Sequence, residues 1–77
     1  MSVPKRQNGI VAAMFESRGY GFIVGDDQAQ YMCHRSASAA TFDLLVPGLR
    51  VNYVPLKTDR GQRAMDVQTG EVDETED

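Results

Sequence analysis

The sequence predicts an all-β fold, a small closed or nearly closed barrel of five short strands. Three observations point there. Short runs of β-forming residues recur along the chain, turn chemistry separates them, and no stretch is long enough to make a crossover helix between parallel strands. At 77 residues and 8.5 kDa there is room for one small domain and a modest core.

The leading residues 1–7 (MSVPKRQ) contain Pro4 and two bases without periodicity, so they are expected to form a flexible arm. The folded domain is expected over residues 8–69. Ile10 to Phe15 is short and almost continuously apolar, which suits a strand buried on much of both faces. Gly19-Tyr20-Gly21-Phe22-Ile23-Val24 is the second strand, because each interior glycine would cost a helix about 1 kcal/mol. Gly25-Asp26-Asp27-Gln28 reverses the chain into a third strand, Gln30 to Arg35. Ser36 to Leu45 is a loop with space for one short helical turn, and Pro47-Gly48 fits the centre of a type II turn. Arg50 to Leu56 makes the fourth strand, whose Pro55 belongs at an edge or bulge; residues 58–62 form a hairpin loop, and Ala64 to Gln68 the fifth strand.

The net charge of −3 hides a division within the chain. Residues 70–77 carry five acids and no base, so the remaining body is about +2. Residues 70–77 therefore read as a disordered acidic tail, serving solubility or competing with nucleic acid for a basic face. No segment approaches the roughly 18 apolar residues of a membrane span, and the first ten residues lack the apolar core of a signal peptide. A cytoplasmic protein without membrane contact is expected. Cys33 is the sole cysteine and His34 the sole histidine, which excludes a disulfide framework and leaves too few ligands for a zinc site; no cofactor is implied.

Arg18-Gly19-Tyr20-Gly21-Phe22-Ile23 is the informative segment. Tyr20 and Phe22 share one face of the strand and Ile23 takes the other, so both rings point outward if Ile23 is core, and inward if the faces reverse. Outward rings flanked by glycines present flat faces suited to base stacking, with Arg18 beside them for a phosphate. On the third strand, a core Tyr31 and Cys33 would bring Met32 and His34 out beside those rings. His34 then stacks on or hydrogen-bonds to a base, or is an ordinary exposed histidine. Cys33 and His34 point to opposite faces, which speaks against a nucleophile and its base. No carboxylate pair or phosphate-cradling loop points to an enzyme.

RGYGFI and YMCHRSA resemble the two ribonucleoprotein motifs of the cold shock domain family, K-G-F-G-F-I and V-F-V-H-F-S-A. Asn8-Gly9-Ile10-Val11, Asp26-Asp27, Pro47-Gly48-Leu49-Arg50-Val51 and GQRAMDV are similar to further family segments, in order, over roughly residues 8–68. The resemblance implies a five-stranded antiparallel oligonucleotide-binding (OB-fold) barrel that binds single-stranded RNA or DNA and acts as an RNA chaperone or regulator of transcription or translation. It places Arg18, Tyr20, Phe22 and His34 on family binding positions, and Phe42 near the family's loop aromatic if one residue is deleted before it.

Departures from the family pattern qualify that expectation. Where the family has K-W-F-N, this chain has Ala12-Ala13-Met14-Phe15; its third-strand Phe becomes Met32 and the Phe after the histidine becomes Arg35. Arg35 can stack by its guanidinium and also neutralise a phosphate, whereas Met32 has no π-face. Phe15 would replace the absent Trp only through a local bulge. The expected site is therefore Arg18, Tyr20, Phe22, Met32, His34, Arg35 and Phe42, with Lys57, Arg60 and Arg63 as further phosphate contacts. Binding weaker than in typical members and strongly salt-dependent is expected. The competing reading diverts the same face, centred on Tyr20, Phe22 and Met32, to a protein partner. A monomer is expected.

Overall fold

The computed structural model describes residues 5–72. Five strands, β1 (Gln7–Phe15), β2 (Tyr20–Gly25), β3 (Gln30–His34), β4 (Arg50–Thr58) and β5 (Gly61–Thr69), close into a barrel in the order β1-β2-β3-β5-β4, the OB-fold architecture. Two short 3₁₀ turns, Arg35–Ala37 and Phe42–Leu44, occupy the β3–β4 connection. Among the described residues no helix is long and apolar enough to cross a membrane, and no group of His, Cys, Asp or Glu could hold a metal ion.

One pairing departs from the antiparallel expectation. β3 and β5 run parallel, with Met32 opposite Arg63, because the chain reaches β5 through the long connection and the β4–β5 hairpin. Two irregularities bend the strands enough for closure. In β1, Ala12 is an extra residue between the pairs Val11–Ile23 and Ala13–Phe22. In β5, Asp66 adopts φ 51° where the β4–β5 register shifts. Arg6 secures that bulge: its guanidinium donates to Asp66 Oδ2 at 3.0 Å, to the Asp66 carbonyl at 2.5 Å and to Asn52 Oδ1 at 2.5 Å.

The core comprises Val11, Ile23, Tyr31, Cys33, Leu45, Val51, Tyr53, Ala64 and Val67, joined by Phe42. Phe42 is 0% exposed, so it does not belong to an exposed binding face. The connection carrying it is pulled against β5: Thr41 Oγ1 donates to the Val67 carbonyl at 2.5 Å, and the Val67 amide donates to Ser38 Oγ at 3.1 Å. Burying the ring closes the core there, which exposure in a free loop would not do.

Both chain-end expectations also need correction within the described residues. Arg6 and Gln7 are tied to the barrel, Gln7 as the first residue of β1. Val72 exchanges two hydrogen bonds with the Asn8 side chain, at 2.8 and 2.7 Å, while Asn52 Nδ2 donates to the Gly70 carbonyl at 3.0 Å. Arg50 pairs with Glu71. Residues 70–72 therefore belong to the fold; the expectations for residues 1–4 and for Asp73 to Asp77 lie outside the described residues.

A polar clasp holds one end of the barrel. Tyr31 Oη donates to Asp27 Oδ2 at 2.6 Å, Gln7 Nε2 donates to Tyr53 Oη at 2.7 Å, and the two tyrosine rings lie 5.0 Å apart. The Tyr31 hydroxyl is the main reason that the Asp27 carboxyl titrates below the usual carboxylate value, against a smaller opposing effect of burial. A depressed carboxyl contributes stability that is complete above its unfolded pKa and is lost as pH falls through the folded one. Acid titration of unfolding should therefore show a loss beginning below about pH 4. Tyr31→Phe should flatten this dependence; an unchanged acid limb would remove Asp27 as its source.

Candidate nucleic-acid interface

With Ile23 and Cys33 in the core, strand alternation turns Tyr20, Phe22, Met32 and His34 outward together. Gly21 makes this setting possible. It faces Met14 across the β1–β2 pair, and a Cβ there would strike Met14 Sδ and approach the Ala13 carbonyl oxygen to 2.7 Å. Met14 thus fills the inward space beneath the rings and packs against the core.

Register organises the outer face into two rows. One runs Phe15–Tyr20–His34 across β1, β2 and β3. The other runs Ala13–Phe22–Met32–Arg63–Leu56 across all five strands. The Ala12 bulge shifts the alternation of β1, so Phe15 comes out on the same side as Tyr20 and remains 42% exposed. Its ring lies 5.3 Å from Tyr20 and 6.2 Å, edge-on, from Phe22; Tyr20 and Phe22 meet edge to face at 5.7 Å. Phe15 is the aromatic that alternation alone misses, and its only sequence signal is the extra residue in the Ala12-Ala13 pair.

His34 is exposed, and its Nδ1 accepts the Ser36 amide at 3.2 Å and lies 2.9 Å from Ser36 Oγ. With Nδ1 accepting, the neutral ring carries its proton on Nε2, a hydrogen-bond donor. Arg35 is held as a plane: its guanidinium lies 4.7 Å over the Phe42 ring, with the Glu16 carbonyl at 3.4 Å and Asp43 Oδ1 at 3.6 Å. Buried Phe42 therefore acts as a support for Arg35, whose side chain stays half exposed.

Cations cluster on the β3–β5 side. Arg60 and Arg63 join Phe22, Gln30, Met32 and Gln62 around a cleft of about 230 Å³. Arg18 is exposed at the end of the 3₁₀ turn that leads into β2. Lys57 does not line that cleft: it pairs across the hairpin with Gln62, one residue out of step with the Leu56–Arg63 pair, and so stands outside the Phe22 row. The outer face of β1–β2 is, by contrast, uncharged, and Ile10 and Val24 form a cross-strand pair 40% and 42% exposed.

Cold shock protein 2 of Lactiplantibacillus plantarum is 36% identical to this chain over 63 residues, which cover 80% of this chain and 96% of the relative. The chain belongs to the cold shock protein family. No family model matches it. Against the family motifs, Ala13 stands where the Trp would be, opposite Phe22 on the outer face, and Phe15 supplies a ring two pairings further along β1. This cold shock domain thus keeps an aromatic cluster but moves part of it toward the β1–β2 turn.

Proposed function

We propose that the protein binds single-stranded RNA or DNA on this outer face. The carrying observation is the exposed three-ring cluster of Phe15, Tyr20 and Phe22 beside the arginines of the β3–β5 side. Rings stack on unpaired bases without demanding a sequence, and Arg18, Arg35, Arg60 and Arg63 contact phosphates. Trapping unpaired strands disfavours hairpins, which is how such a domain acts as an RNA chaperone or a regulator of transcription or translation. We take it to work as a cytoplasmic monomer without catalytic activity. Ala13 and Met32, in place of two aromatic platforms, make its affinity lower than that of a member with the full set.

Titration of fluorescent single-stranded RNA and DNA tests this. If all four arginines contact phosphates, the slope of log K against log salt should approach about −2.8, a loss on the order of 50-fold between roughly 50 and 200 mM salt. Absent binding to both nucleic acids would overturn the proposal. It would favour the protein-partner reading, to which the uncharged Ile10–Val24 pair lends support.

A further inference from the structure

A second cleft opens on the other side of Arg60 and Arg63, beyond the aromatic rings and at the β4 end of the Phe22 row. It measures about 460 Å³ and lies on the outer face of the β4–β5 hairpin, lined by Leu56, Thr58, Asp59, Arg60, Arg63 and Met65. We propose that this cleft is an additional nucleotide subsite, through which a bound single strand continues past Met32 and across the hairpin. The inference rests on the nucleic-acid reading above and extends it past Arg60 and Arg63 to Leu56 and Met65, which lie outside the expected site.

Register provides the continuity. Arg63 faces Met32 on one side and Leu56 on the other, so the three share one transverse row. Two strand spacings, about 10 Å, separate Met32 from Leu56. Arg60 and Arg63 line both clefts and form a cationic ridge between them. A phosphate held on that ridge lets one base descend toward Phe22 and Met32 and the next toward Leu56 and Met65. The second floor suits a base: Leu56 is 46% exposed and Met65 partly so, giving an apolar surface under a cationic rim.

The ridge is held in shape before any ligand arrives. Thr58 Oγ1 donates to the Gly61 carbonyl at 2.7 Å and accepts the Arg60 amide at 3.2 Å, closing the turn that carries Arg60. Asp59 is the one acid on the rim, so the phosphate is placed toward Arg63, away from that carboxylate. This charge arrangement commits the cleft to an anionic strand; an apolar protein segment would leave both arginines without partners.

The test uses the full chain and thymidine oligonucleotides of about 5 and about 12 nucleotides, within the roughly 4–16-nucleotide range of OB-fold sites. Beyond the statistical gain from the longer strand's additional binding registers, wild-type protein should bind it at least about 5-fold more tightly than the shorter, the equivalent of one further base contact of about 1 kcal/mol. Leu56→Ser should abolish most of that gain and leave the short-strand affinity unchanged. Methyl resonances of Leu56 and Met65 should shift with the long strand only. Survival of that excess gain in Leu56→Ser, or methyl signals that ignore the long strand, would overturn the subsite. Phe22→Ala keeps the two ideas separate: it should weaken both lengths, and its failure to do so would count against the aromatic face itself.

Discussion

Phe22→Ala is expected to weaken single-stranded oligonucleotide binding by about 5- to 150-fold, the equivalent of about 1–3 kcal/mol for one lost stacking platform. Phe22 stands at the crossing of the site. It is opposite Ala13 and Met32 in its row and packs edge to face with Tyr20 and edge-on with Phe15. Its neighbours offer no replacement, since alanine and methionine lack a π-face. Removing it also withdraws the edge that orients the other two rings, which places the effect toward the upper part of the range. Because the ring is partly exposed and lies outside the core, the variant should remain folded by circular dichroism. A folded variant with wild-type affinity for RNA and DNA would remove stacking from the mechanism.

Gly25→Ala should be strongly destabilising, costing about 2–4 kcal/mol from overpacking together with a disturbed hydrogen bond. A Cβ at this position would collide with Tyr53 Oη and Gln7 Nε2 and come within 2.7 Å of Asp27 Oδ1. Tyr53 cannot retreat, since it is 0% exposed and backed by the Tyr31 ring at 5.0 Å. The expected fall in Tm is about 10–25 °C for a domain of this size. Gly48→Ala is the appropriate contrast. Its φ of 92° disfavours alanine, but a Cβ there meets nothing within 4 Å, so the cost should stay near 1 kcal/mol. Equal losses for the two variants in a thermal melt would show that the collision with the Tyr53 and Gln7 side chains is relieved and does not govern Gly25.

Local chemistry made much of this legible. Glycines within a β-forming run identified β2, the Gly25–Gln28 turn identified its hairpin with β3, and alternation about Ile23 and Cys33 placed Tyr20, Phe22, Met32 and His34 together. The motifs carried the family as well, because their order and spacing persist even though the Trp is absent. Such features are encoded within a few neighbouring residues, and a pleated strand repeats every two.

Tertiary closure decided the remainder. Ala12 is extruded as a bulge because β1 must bend to pair with both β2 and β4, and that single extra residue turns Phe15 onto the face. Phe42 goes inward because the core gains from its burial, leaving Arg35 above it as the exposed plane. Lys57 is set out of the Phe22 row by hairpin register, while Leu56 joins that row through two further strand pairings. Asn8 reaches Val72 across 64 positions of sequence to bring residues 70–72 into the fold. By itself the sequence determined the strands, which residues of β2 and β3 share a face, and the family, since these follow from neighbours along the chain. Bulges, the parallel β3–β5 seam and the extent of the cationic ridge depend on contacts between distant segments, and only a closed barrel chooses among those.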